Sequence, residues 1–434
     1  MSLKDTIKQI WKNIYEKPRK WIKKNIGQAY NIVPHKNNFI IIDNFEPSQL
    51  LTGFRVKEFN FLLNKINDSK LLTMSNLIYK YSDLDNRIKT NDIIWSTPMS
   101  KNSYKKQSYK YCKYFSISKK QLLYMQNRKY EANGAYIMFL YNAYLSLKFL
   151  EKNKIPFVFT LFPGGGFKLN HEFSDKMMKD VFSSPMFRGC FVPQKIIYDY
   201  ILEKKFTTKD KLFFEYGGGF FQFTPDDILQ KQYYKENKKT FDIAFVAYRY
   251  MKKGLDKGFD LAIYSLKQLV KKYPFIHLHC VGTNTLEDFE DDFSDIKDNL
   301  HLYGSQKSNF FPEFFQKMDI ALAPNRVNVL DKGAFDGFPL MVEAGFFGVP
   351  IFCTDELGIN HNYTDKQDLI IIKPEIEDII QKIEYYLQNL DELKQIALNG
   401  QKKIQFYFDN TKQENDRCKF INKYLDIQER QKCN

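Results

Sequence analysis

The sequence predicts an α/β protein made of two doubly wound domains, each a parallel sheet covered by helices on both faces. Three observations carry that prediction. Short apolar runs such as FIIID, IPFVFT, FDIAFVA, IALAP and LIIIKP recur along the 434 residues, as strands do when neither face of their sheet meets water. Segments with an apolar stripe at helical spacing alternate with them, which is the pattern of βαβ units. A polar, charged stretch at 226–240, DDILQKQYYKENKKT, divides the alternation into two series, and its composition marks a boundary between domains.

Taken in order, residues 1–30 place Leu3, Ile7, Ile10, Trp11 and Ile14 on one helical face, while eight Lys/Arg against two Asp/Glu give a local net charge of +6. Such a segment, kinked at Pro18, suits an anionic membrane surface; packing on its own domain with a solvated basic face is the equal alternative. The first domain, 38–225, opens with FIIID, a loop ending at Gly53, and a helix with Phe54, Phe59, Leu62 and Leu63 to one side. A strand, a glycine-bearing loop and a helix bring backbone close to a ligand at the carboxyl end of a sheet, which makes Gly53 a candidate binding residue. Farther on, IPFVFT leads to Pro163 and to Gly164, Gly165 and Gly166. Without side chains, this backbone can approach a bound molecule or take conformations closed to other residues. No Gly-Lys-Ser/Thr follows, so it is not a P-loop. Lys168 and His171 lie just beyond it, where they could touch the same bound molecule, and a second triple glycine occupies 217–219.

The second domain, 241–410, begins with FDIAFVA and a helix whose stripe is Phe259, Ala262, Ile263, Leu266, Leu269 and Val270. Between them lie Arg249, Lys252, Lys253 and Lys257. Gly282 and Gly304 follow the next two strands, where backbone can come close to a nucleotide, and 375–427 is helical in pattern. The chemistry concentrates in 325–358, NRVNVLDKGAFDGFPLMVEAGFFGVPIFCTDELG. Asp336 stands just before a helix start marked by Gly337, Phe338 and Pro339; Glu343 lies in the helix body. A helix N-terminus offers unpaired N–H groups and a positive dipole end to a phosphate. A carboxylate one turn further on suits a ribose or sugar hydroxyl. An ordinary capped helix with solvated acids would use the same residues.

At this stretch the chain resembles family 4 of the retaining glycosyltransferases of GT-B fold, of the bacterial glycan biosynthesis type. The resemblance rests on IALAP, a loop, acid-Gly-Phe-Pro, Glu-Ala and Gly-Val-Pro. In that family seven residues separate two glutamates, whereas six separate Asp336 from Glu343. AYRY…DKGFD is similar to the family's Gly-Arg…Lys-Gly-x-Asp, with Arg249 and Lys257 matching and Ala247-Tyr248 standing where a glycine is usual. FTLFPGGGF looks like the FTLYPGGGF of some bacterial glycosyltransferases.

The resemblance implies two Rossmann-like domains facing across a cleft, 38–225 for the acceptor and 241–410 for the donor, with a helix in 411–434 crossing back to the first. It implies transfer of a hexosyl-type sugar, with retention, from a uridine or guanosine diphosphate sugar to a hydroxyl of a glycan or lipid-linked acceptor. Bacterial surface polysaccharide or glycoconjugate assembly is the implied setting. Arg249 and Lys257 would hold the diphosphate, Asp336 would orient the sugar, and Glu343 would bind ribose or sugar hydroxyls. No Asp-x-Asp metal clamp accompanies these residues, so neither a metal nor a cofactor beyond the donor is expected.

Composition leaves two other classes open. Lys+Arg 65 against Asp+Glu 51, a net charge of +14, points to an anionic partner. A basic nucleic-acid-binding protein would account for it, yet no reading helix or cluster of stacking aromatics beside charge is seen, and no nucleic acid is expected. A sugar-nucleotide epimerase or hydrolase could share the fold. The six cysteines have neither CxxC nor metal spacing and read as reduced core residues. With no apolar run near 18 residues and no signal peptide, a cytoplasmic protein, peripheral on the inner membrane face through 1–30, is expected.

Overall fold

The computed structural model describes residues 35–44, 53–74, 88, 92–97, 122–124, 129–217, 219–327 and 338–427. The basic segment 1–30, Asp336 and Gly337 lie outside the described residues.

The first sheet contains β1 (His35–Asp43), β2 (Ser69–Thr73), β3 (Ile93–Thr97), β4 (Leu122–Tyr124), β5 (Tyr130–Met138), β6 (Phe157–Thr160), β7 (Phe187–Val192) and β8 (Leu212–Phe214). Their order is β4-β3-β2-β1-β5-β6-β7-β8, and the pairs are parallel. FIIID behaves as a central strand. Phe39 and Ile41 enter one core with helix α1 (Gly53–Lys65), while Ile40 and Ile42 enter the other with α2 (Leu140–Asn153) and α3 (Glu172–Phe182). Helix α4 (Lys195–Glu203) joins the second of these cores through Ile197 and Ile201.

The second sheet contains β9 (Phe241–Ala247), β10 (Ile276–Gly282), β11 (Leu300–Leu302), β12 (Ile320–Ala323), β13 (Ile351–Cys353) and β14 (Ile370–Ile371). Their order, β11-β10-β9-β12-β13-β14, is the Rossmann order 3-2-1-4-5-6. Phe241, Ile243 and Phe245 pack against α5 (Phe259–Lys272) and α8 (Ile376–Gln388) on one face. Ala244 and Val281 meet α6 (Phe311–Lys317) and α7 (Phe338–Phe346) on the other, where α9 (Leu390–Tyr407) adds Ile404. In each sheet the strand order reverses beside the first strand, between β1 and β5 and between β9 and β12. Doubly wound sheets bind ligands outside the carboxyl ends of the strands at such switch points.

The connection between the sheets is packed. Phe221 and Phe223 are buried against Phe346 and Phe347, with ring centroids 5.2 and 4.9 Å apart. Lys231, within the polar stretch, donates its ammonium protons to the carbonyls of Phe315, Gln316 and Met318, closing the C-terminal end of α6. Burial pulls its pKa down to about 7.

A last helix, α10 (Asn410–Tyr424), returns to the first sheet. Phe420, Ile421 and Leu425 share a core with Val56, Phe59 and Leu62 of α1. Arg417, fully buried, pairs with Glu58 at 2.7 Å and lies 3.9 Å over the Phe191 ring. Tyr136 donates its hydroxyl to the same carboxylate. The end of this segment presses so close to the strands that a Cβ on Gly189 would stand 2.6 Å from the Tyr424 ring. Cys190, Cys280 and Cys353 are buried, and no helix among the described residues is long and apolar enough to cross a membrane.

Candidate active site

At the second switch point, the loop after β9 folds back onto the end of β12. Gly258 makes this possible: its φ is 72°, and a Cβ there would lie 2.2 Å from the Pro324 carbonyl oxygen. The Arg326 guanidinium fastens the same loop with two 2.8 Å bonds to the Asp260 carboxylate and one of 3.0 Å to the Leu255 carbonyl. Thr354, just after β13, donates to the Asn325 carbonyl at 2.8 Å. Three strand ends thereby form one unit. Asp256 and Lys257 sit inside it, 3% and 6% exposed. Burial lowers the pKa of Lys257 and raises that of Asp256, each opposed by the other's charge. The Lys257 ammonium lies 5.6 Å from the centre of the Tyr250 ring.

Arg249 is engaged differently. Its guanidinium donates to Asp288 at 2.5 Å and to Thr285 at 3.3 Å, and its backbone N–H donates to the Thr283 hydroxyl at 2.9 Å. It therefore ties the loop after β9 to the segment after β10. Gly282 serves the same closure, because a Cβ would meet the Ala247 carbonyl oxygen at 2.0 Å.

Phe338 and Pro339 form the first turn of α7, and Glu343 follows in its body. Gln222 of the connection between the sheets donates an amide hydrogen bond to Glu343 and accepts one from Ser308. Burial outweighs that single bond and pushes the Glu343 carboxyl up to about 7.

The first domain presents its own switch point. Asp43, at the end of β1, is fully buried and accepts from Asn142 at 2.6 Å, from the Asn44 N–H at 2.7 Å and from Arg55 at 3.2 Å. Burial nonetheless raises its pKa, against the charge of Arg55. Arg55 also lies 4.4 Å over the Phe139 ring. Burial raises the pKa of Tyr250, and Arg55 opposes that rise from the other domain, so the two switch points face each other within electrostatic reach. Gly53 is the first residue of α1, two positions before Arg55.

Gly164, Gly165 and Gly166 all have positive φ, at 79°, 53° and 96°. A Cβ on Gly165 would be 2.4 Å from the Phe139 ring and one on Gly166 2.8 Å from Tyr141, while the Gly165 carbonyl accepts from the Tyr141 N–H at 2.9 Å. The glycines let this loop lie over the start of α2. His171 accepts from the Ser174 N–H at 3.4 Å as the cap of α3. The structure thus gathers Lys257 and Gly258 at the β9/β12 switch point and sets Arg249 and Gly282 at the neighbouring strand ends.

Sequence reasoning passed over Asp43, Arg55, Asp256 and Gln222. Asp43 and Arg55 did carry a signal: an acid closing an apolar strand and a cation two residues after the loop glycine. Gln222 carried none.

Two doubly wound parallel sheets, facing at their switch points and joined again by a returning helix, are the GT-B fold. Residues 229–403, which take in most of the second domain, match the family model of glycosyl transferases group 1. No curated protein matches the chain in sequence. Among solved structures it is similar to the Anabaena protein HepE in complex with UDP, at a TM-score of 0.59 and 12% identity over 89% of this chain and 99% of that one. HepE has also been solved with UDP-glucose. Sucrose-phosphate synthase from Thermosynechococcus elongatus is similar at 0.59 and 10% identity, over 89% and 98%. The lipopolysaccharide outer core galactosyltransferase WaaB is similar at 0.55 and 14% identity, over 89% and 99%. These are likenesses of fold.

Proposed function

We propose that this protein transfers a hexosyl-type sugar from a nucleoside diphosphate sugar to a hydroxyl of a glycan or lipid-linked acceptor, with retention at the anomeric carbon, as a family 4 enzyme of bacterial surface polysaccharide or glycoconjugate assembly. The observation that carries the reading is Lys257: a buried ammonium at the switch point of the domain that matches group 1, in a loop that Gly258 and Arg326 hold rigid. A fixed cation in a water-poor site stabilises charge far better than a solvated one, and needs no reorganisation when the charge appears.

In the reaction the bond from the anomeric carbon to the diphosphate oxygen breaks while the bond to the acceptor oxygen forms on the same face of the sugar. The departing phosphate oxygen takes the acceptor's proton. Lys257 and the N–H groups at the start of α7, after Gly337 and on either side of Pro339, hold the diphosphate. Arg249 joins them by exchanging Asp288 for phosphate. Asp336 orients the sugar, and Glu343 accepts from ribose or sugar hydroxyls. Fixed cations do the work that a metal does in other transferases. UDP sugars are the first donors to try, since HepE binds UDP and UDP-glucose; GDP sugars come next. The basic segment 1–30 holds the enzyme at the inner face of the membrane, beside a lipid-linked acceptor.

The test compares the wild-type chain with Lys257→Ala in sugar transfer from UDP and GDP sugars. A donor aimed at developing charge contributes about 2.7 to 4 kcal/mol, so turnover should fall at least ~10²-fold with the fold intact. Equal rates would remove Lys257 from the site. Turnover of the nucleotide sugar that proceeds as fast without any acceptor would identify a hydrolase or epimerase instead.

A further inference from the structure

Three of the six histidines of this chain meet on one face of the second sheet. His277 and His279 are two residues apart on β10 and so point to the same side. His301 of β11 stands in register with His279. One nitrogen from each ring lies within 4.8 Å of the other two, and His277 Nδ1 is 2.9 Å from His301 Nε2. The rings are partly buried on the face that α6 covers, with Phe314 6.5 Å from His279.

The surroundings supply what a metal centre needs beyond its ligands. Asp242 of β9 lies 2.9 Å from His279 Nε2. A carboxylate behind an imidazole fixes its tautomer and makes the far nitrogen, here Nδ1, a better ligand. Asp242 is itself held by Lys238 and by the Thr240 hydroxyl at 2.8 Å. The Tyr303 hydroxyl is 3.0 Å from His279 Nδ1, at the open side of the cluster.

We propose that His277, His279 and His301 bind a divalent transition-metal ion of the zinc type, with Asp242 supporting His279 and Tyr303 or a water in the fourth position. Three imidazoles are a donor set that zinc accepts, at about 2.0–2.1 Å per nitrogen. In a tetrahedron that spacing holds the nitrogens about 3.3 Å apart, which small ring rotations on a fixed strand framework achieve. The site is separate from the proposed chemistry. His279 lies three residues before Gly282, where β10 reaches the cleft, which is about 10 Å along a strand. Its role is to clamp β11 and the chain beyond it, which carries Ser308, to the middle of the sheet.

The experiment uses the full chain without a histidine tag, stripped by chelator, and titrated with Zn²⁺ by calorimetry and with Co²⁺ by visible absorption. We expect one equivalent of Zn²⁺ bound below about 1 µM, an intense tetrahedral Co²⁺ band, and a higher melting midpoint in Zn²⁺ than in chelator. His301→Gln and His277→Gln should each weaken binding at least tenfold, whereas His171→Gln/His361→Gln should bind as wild type. Only weak binding to several sites, equal in the His301→Gln and wild-type chains, would overturn the proposal. So would a pale octahedral Co²⁺ spectrum in the wild-type protein, which needs no variant to fold.

Discussion

Glu343 is a carboxyl that burial leaves with one amide donor. Its pKa of about 7 stands above the ordinary 4.5, so between those values the folded protein keeps a proton that the unfolded chain releases. Stability from this group is therefore greatest at low pH and declines as pH rises from about 4.5 to 7, by on the order of 3 kcal/mol when complete. Glu343→Gln removes the titration. Its urea midpoint should exceed that of the wild type at pH 8 and converge with it near pH 4.5. Sugar transfer at pH 8, where the wild-type carboxyl is ionised, should nevertheless fall ten- to a hundredfold, because that ionised acceptor has become a neutral amide. Midpoints that differ equally at both pH values would show that Glu343 does not titrate in this range. Lys257 and Glu343 could be named from sequence because each sits in a short local pattern. The Asp43–Arg55–Asn142 cluster could not, since Asn142 is 99 residues from the carboxylate it contacts and only the pairing of β1 with β5 unites them.

Elements were legible where burial is symmetric. The inner strands β1, β6, β9 and β12 each carry an apolar run buried on both faces, and the helices between them carry stripes that periodicity reveals. Strands β2 and β3 and the edge strand β4 escaped notice, for all three are short and SKLLT and IIWST mix polar with apolar residues. The polar stretch 226–240 hid its packing as well, because a lysine that caps a helix looks in sequence like one in water. Helix α10 offers a test at this scale. In Gly189→Ala the new methyl meets the Tyr424 ring, an overpacking that typically costs 1–3 kcal/mol. The melting midpoint should drop by several degrees, and adding Tyr424→Ala should recover part of the loss, since the two sites are coupled. Strictly additive losses would mean that the helix end does not press on β7.

For the molecule as a whole, the pair Arg417–Glu58 binds the returning helix to the first domain at a point with no access to water. Arg417→Met leaves Glu58 as an uncompensated buried charge, a change that typically costs 3–5 kcal/mol. The first domain should melt earlier by roughly 6 °C or more, at 2–4 °C per kcal/mol for a domain of this size. Glu58→Gln/Arg417→Met should be more stable than Arg417→Met alone. If the double variant is the weaker, the guanidinium stabilises through its aromatic neighbours instead. The same architecture has a consequence for synthesis. Residues 410–427 leave the ribosome only after the entire second domain, yet they fill the core of the first. The nascent first domain therefore waits, with the groove beside α1 open and Glu58 without its cation, while the later half closes its own core. A premature stop codon shortly before Asn410 would then show itself as a folding defect at the opposite end of the polypeptide.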